Sequence, residues 1–170
     1  MRISKNAVLG AALLLAAFLT TAVSLVARAD DGFKELTRAG NYTDVRDDLK
    51  NAIINRGFVV DYVGHLNKML ERTSEAVGSV TEAGAKSPYK DAEFMQFCAA
   101  KFTHEAISAN PQNIVNCPYV IYVYELPAKP GLIHVGYRTP VSGPSKISRK
   151  AVNSIDALLN EIITEAAQQQ

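Results

Sequence analysis

Four residues in the last third of the chain have the types and spacing that recognition or catalysis needs: Tyr122, Tyr124, His134 and Arg138. Tyr119–Glu125 is rich in β-branched and aromatic residues, and so is Leu132–Arg138. Pro127-Ala128-Lys129-Pro130-Gly131 lies between them, and the three segments together predict a hairpin. Side chains alternate along a strand. Ile121 and Val123 therefore share one face with Ile133, Val135 and Tyr137 of the partner strand. Burying that aliphatic set against helices puts Tyr122, Tyr124, His134 and Arg138 on the opposite surface. Arginine offers a planar fork and tyrosine a flat face with a hydroxyl, so this surface suits an anionic or aromatic ligand. The same residue types are favoured at protein interfaces. A solvated sheet face on which tyrosine only satisfies β-propensity is the structural alternative.

His65, Cys98, His104 and Cys117 raise a second possibility, a thiol or metal site built from soft and borderline ligands. On a helix read from Asp91 to Ser108, Cys98 and His104 stand about 120° apart and cannot share a face. His65 falls at a helix start, where a turn residue bonded to backbone is the plainer reading. Neither cysteine belongs to a C-x-x-C pair. Two readings of Cys98 and Cys117 stay open, a disulfide closed in an oxidising compartment and two buried thiols. The sequence has no H-E-x-x-H, G-x-S-x-G, P-loop or G-x-G-x-x-G signature. Catalytic groups can still converge from distant segments, and Asp61, Tyr62, His65 and Arg138 are the set that would do so. No metal, cofactor or reaction is assigned.

The elements that must position these residues follow from periodicity. Val45, Leu49, Ala52 and Ile53 form a helical stripe that Gly57 ends. Phe58–Val63 reads as a strand. A second helix starts near His65, with Leu66, Met69, Leu70, Thr73 and Val77 on one side, and stops at Gly78. Ser79–Pro88 reads as a loop. Met95, Cys98, Phe102 and Ala106 predict a third helix over 91–108, closed by Asn110-Pro111. An extended linker over 139–148 leads to a last helix, about 149–167, with Val152, Ile155, Leu159, Ile162 and Ile163 on one side. The fold class expected is α+β: a two-layer domain with a small β-sheet that includes the hairpin, packed by helices on one face.

The first 29 residues have the order of a signal peptide: Arg2 and Lys5, an uncharged apolar run from Ala7 to Val26, then Ala27-Arg28-Ala29. Cleavage after Ala29 leaves one domain over 30–170 in an exported, periplasmic protein. The run is also long enough to stay as an inner-membrane anchor facing the periplasm, the one way in which a membrane enters the reading. Three of the 18 basic residues and none of the 17 acidic ones precede the cleavage point, which leaves a weakly acidic domain. Nucleic acid is not an expected partner, since no basic stripe is present.

Several short signals in order carry a resemblance: Asp44-Val45-Arg46-Asp47-Asp48-Leu49 through Gly57-Phe58-Val59-Val60, then Tyr62-Val63-Gly64-His65, Phe97-Cys98, Asn110-Pro111, and Cys117-Pro118 leading into a hairpin that ends Val135-Gly136-Tyr137-Arg138-Thr139-Pro140. Over about 42–140 the chain resembles the bacterial and archaeal family called domain of unknown function 302. The resemblance implies a small two-layer α/β domain, often dimeric, and supplies no reaction. Cys98-Ala99-Ala100 stands where many relatives have Cys-Asn-Pro, and Asn116-Cys117-Pro118 where they often have Leu-Pro-Cys, so no thiol role carries over. The combined expectation is an exported binding or interaction module, a homodimer, that meets a small molecule or protein through the Tyr122/Tyr124/His134/Arg138 face. The alternative is a periplasmic thiol- or metal-dependent protein that uses Cys98 and Cys117 with His65.

Overall fold

The computed structural model describes residues 32–77 and 87–169; the stretch read as a signal peptide, Gly78 and most of the loop expected after it lie outside the described residues. Among the described residues no helix is long and apolar enough to cross a membrane. The elements run β1 (Phe33–Ala39), α1 (Tyr42–Ile54), β2 (Val60–His65), α2 (Leu66–Val77), β3 (Asp91–Phe97), α3 (Ala100–Ala109), a 3-10 turn (Pro111–Asn116), β4 (Tyr119–Glu125), β5 (Leu132–Arg138) and α4 (Lys146–Gln168). The five strands form one antiparallel sheet in the order β1-β5-β4-β3-β2. The α+β class with a two-layer core is as the sequence indicates.

α1 and α4 cover one face of the sheet. α1 buries Val45, Leu49, Ala52 and Ile53, and α4 buries Ile155, Leu159, Ile162, Ile163 and Ala166. Beneath them lie Met95, Phe97, Ile121, Val123, Ile133, Val135 and Tyr137, all in the same core. Truncating a side chain as enclosed as Leu49 to alanine costs about 2–5 kcal/mol, because lost transfer energy and a residual cavity add. Asn41 caps α1 through Oδ1, which accepts from the Thr43 amide at 2.8 Å, and Gly57 at φ 80° turns the chain out of it.

Two segments differ from the sequence reading. Residues 91–97 are a central strand, and the helix begins only at Ala100. Met95, Cys98, Phe102 and Ala106 mimic a helical stripe because they straddle the junction of strand and helix. In the strand, Met95 and Phe97 face the core while Ala92, Phe94 and Gln96 face the other way, paired with Tyr124, Tyr122 and Val120. β1, an edge strand beside β5, is the second difference. Its helix-facing side holds charges: Lys34 Nζ meets Asp156 at 2.6 Å, and Arg38 donates to the Ala166 carbonyl at 2.9 Å and pairs with Asp48. Ion pairs thus dock a strand that has no apolar alternation.

Glu125 fixes the hairpin turn. Its buried carboxylate accepts from the Gly131 amide at 2.7 Å and from Lys90 Nζ at 3.1 Å. These bonds hold its pKa below the usual carboxylate value, the backbone bond contributing most. Gly131, at φ 79°, supplies the left-handed turn residue.

Candidate functional site

The sheet face away from α1 and α4 carries one transverse row that crosses all five strands. Gly64, Phe94, Tyr122, Gly136 and Glu35 oppose one another in turn from β2 to β1. The two glycines decide its shape. A Cβ on Gly64 would stand 2.3 Å from the Phe94 ring, and a Cβ on Gly136 would stand 2.4 Å from the Tyr122 hydroxyl and 2.5 Å from the Lys34 carbonyl. Phe94 therefore lies flat over β2 and Tyr122 flat over β5, each in space that only glycine leaves. The rings lean in opposite directions and leave the strip between β3 and β4 open.

That strip is a cavity of about 460 Å³ lined by Ala92, Phe94, Val120, Tyr122 and Tyr124, with Leu66 and Tyr89 on one side and Phe33, Glu35 and Arg138 on the other. Its size and largely apolar lining with a few polar groups are those of a small-molecule site. Tyr62 packs beside Phe94, with ring centres 5.9 Å apart.

In the neighbouring row Tyr124 opposes His134 and stacks on it, with ring centres 4.4 Å apart and planes 6° from parallel. Tyr122 lies along the same layer, 6.1 Å from Tyr124, and Tyr89 closes on Tyr124 edge-on at 5.2 Å. Such aromatic contacts each contribute about 0.5–1.5 kcal/mol beyond area burial and hold the rings in place. Glu35 knits the layer together. Its Oε1 lies 2.8 Å from His134 Nδ1, and its Oε2 accepts from the Tyr122 hydroxyl at 3.3 Å. The imidazole tautomer with its proton on Nδ1 satisfies this geometry; Nε2 is then a buried acceptor that meets no partner among the described residues.

Burial and then the negative charge of Glu35 raise the Tyr122 pKa well above the ordinary phenol value and push Tyr124 up to about 12. Both phenols are neutral donors at physiological pH. Tyr122 already donates its single hydroxyl proton to Glu35, and neither phenol is poised to act as a base.

The hairpin alternation places Tyr122, Tyr124, His134 and Arg138 on one face, as the spacing indicates. They play different parts there. Tyr122 and Tyr124 line the cavity, Arg138 stands exposed at its edge, and His134 sits half-buried behind Tyr124. Arg138 has no ion-pair partner among the described residues. Glu35 was not read from the sequence. The cue available was weak: Gly32 and Gly40 bracket a seven-residue segment, but its alternation is polar on both sides.

Cys98 and Cys117 are joined as a disulfide with Cα atoms 6.2 Å apart, linking the end of β3 to the start of β4 beside the cis Cys117–Pro118 bond. His65 lies elsewhere. It opposes Glu93 near the far end of β3, with Nδ1 3.1 Å from the Glu93 carboxylate, and five residues of strand separate Glu93 from Cys98, about 16 Å. His104 is exposed on α3, 3.5 Å from the Ser108 hydroxyl, and Cys98 precedes that helix. Among the described residues no group of three or more His, Cys, Asp or Glu side chains is placed to hold a metal ion.

No family model and no curated protein matches the chain. Among solved structures, it is similar to an uncharacterized conserved protein DUF302 from Bacillus stearothermophilus, with a TM-score of 0.60 and 11% identity over 80% of this chain and 98% of that one. At that identity the likeness concerns the fold: the chain has the architecture of a domain of unknown function 302 protein.

Proposed function

We propose that this chain is an exported, non-catalytic binding module whose working surface is the open sheet face around Tyr122, Tyr124 and Arg138. The observation that carries the reading is the pair of glycines, Gly64 and Gly136, over which Phe94 and Tyr122 lie flat. A sheet face that only meets solvent has no need of two β-depleted residues in one row, each costing about 0.5–1 kcal/mol relative to alanine. Together they make a concavity. Export is supported by the order of charges and apolar residues in the first 29 positions and agrees with paired cysteines.

The double variant Tyr122→Ala/Arg138→Ala tests the surface. We expect it to fold and to lose thermal stabilisation by any compound from a small-molecule screen that stabilises the parent chain. Unchanged stabilisation would move the site elsewhere.

A second reading, a homodimer through the same face, is favoured by the large apolar residues near it: Phe33 is 49% exposed and Tyr62 48%. Size-exclusion mass of the same variant separates the two. A dimer that the double substitution converts to monomer assigns the face to a second copy.

A further inference from the structure

Resting on the reading of the open face as a binding surface, we propose that its ligand is a planar aromatic anion, an apolar bicyclic body carrying one carboxylate. Charge decides the sign. The lining has two carboxylates and both are engaged: Glu93 pairs with His65 at 3.1 Å and Arg46 at 3.7 Å, and Glu35 has Oε1 at 2.8 Å from His134 Nδ1 and Oε2 bonded by the Tyr122 hydroxyl. A cation seeking either carboxylate would have to displace one of these partners. Arg138 lines the same cavity, exposed and without an ion-pair partner among the described residues. It opposes Phe33, two positions along β5 from Gly136 and therefore about 7 Å from the row that holds Glu35. The open charge is thus a cation at one end, and its guanidinium fork matches a carboxylate.

Shape decides the body. Phe94 and Tyr122 recline on glycine, Ala92 and Val120 flank that pair one row to either side, and the cavity of about 460 Å³ is a slot between the rings. A flat ring system fills such a slot between the Phe94 and Tyr122 rings, with Tyr124, held by His134 and Tyr89, at its border. A long flexible chain would leave it partly empty. A polar body would strip water from its own groups without finding partners, since Tyr122 is already bonded to Glu35.

The test compares naphthoate with neutral naphthamide by calorimetric titration against the parent chain, Arg138→Gln, Gly64→Ala and Ala92→Leu. Gly64→Ala drives the Phe94 ring into the slot, because the three atoms nearest the new Cβ, at 2.3–3.0 Å, all belong to that ring. Ala92→Leu fills the same slot from β3 should the first variant fold poorly, with circular dichroism checking both. We expect the parent to bind naphthoate about tenfold more tightly than naphthamide, as one charge-assisted contact supplies. Arg138→Gln should abolish the difference, and each slot-filling variant should weaken both compounds at least tenfold. Equal affinity of the two compounds in the parent, lost on filling the slot, would overturn the anion while leaving the binding face standing. A preference that survives Arg138→Gln would overturn it too. Absence of saturable binding, or binding only after a dimer dissociates, would overturn both the ligand and the small-molecule use of the face.

Discussion

Glu35 and His134 meet diagonally across the β1–β5 ladder: Glu35 opposes Gly136 and His134 opposes Thr37, yet Oε1 and Nδ1 are 2.8 Å apart. The carboxylate can lean toward His134 because its direct neighbour is a glycine. Its other oxygen takes the Tyr122 hydroxyl that lies over that same glycine. One edge-strand acid thereby orders the aromatic layer of β4 and β5.

Removing that acid loosens the layer. Glu35→Ala leaves the Tyr122 hydroxyl and His134 Nδ1 without their acceptor, and we expect a loss of about 1–3 kcal/mol in urea unfolding. Glu35→Gln keeps the shape and removes the charge. Tyr124 should then ionise below its pKa of about 12 but still above 10, because burial is the larger cause of its shift. Tyrosinate absorbance measured in a Tyr124→Phe subtraction reads the change. An unaltered titration would mean that Glu35 does not act on Tyr124.

The same shift sets a stability limit at high pH. The folded pKa of Tyr124 lies above the unfolded value of 10.0, so its contribution is intact below pH 10 and is lost as pH rises toward 12. Tyr124→Phe should unfold less readily than the parent across that window and behave alike at pH 8 to within the cost of a lost hydroxyl.

Glu125 acts in the opposite direction. Its folded pKa is depressed by the Gly131 amide and Lys90, so its contribution is present above the unfolded value of 4.5 and disappears as pH falls through the folded value. Glu125→Gln should therefore destabilise the chain at neutral pH and differ least from the parent at strongly acidic pH. Thermal melts at both ends of the range check it, and a constant difference would contradict the assignment.

The two glycines should respond unequally to alanine. At Gly136 the new methyl meets the Lys34 carbonyl as well as Tyr122, so backbone must move and β1 is strained. At Gly64 its near contacts are with the Phe94 ring. We expect Gly136→Ala to cost about 1–3 kcal/mol and Gly64→Ala clearly less, by equilibrium unfolding.

Cys98→Ser/Cys117→Ser opens a crosslink spanning 19 residues and should lower stability by about 3 kcal/mol in the loop-entropy account. Intact mass of the natively expressed protein, with and without reduction, reports the bond directly and also tests the proposed cleavage after Ala29.

The hairpin was legible because its alternation is unbroken: every second residue from Tyr119 to Glu125 is buried, and a central strand leaves no other register. β3 was not, since Met95 and Phe97 run into Cys98, Phe102 and Ala106 at spacings that a helix would also give. β1 was illegible for a different reason. Lys34 and Arg38 face the helices and are satisfied by Asp156, Asp48 and the Ala166 carbonyl, partners that only the folded chain brings close. So half of the site, the tyrosines and Arg138, followed from local pattern. The other half, Glu35 and the hollow over Gly64 and Gly136, depends on the order of strands in the sheet, which periodicity within a strand does not encode.

Amide chemical-shift mapping during titration of the parent chain with naphthoate tests the binding face most directly. The expected perturbations cluster at Ala92, Phe94, Tyr122, Tyr124 and Arg138, on three adjacent strands and one side of the sheet. Perturbations centred instead on the outer side of α4 near Arg149 and Asn153, or around Cys98 and Cys117, would contradict the assignment of the open face.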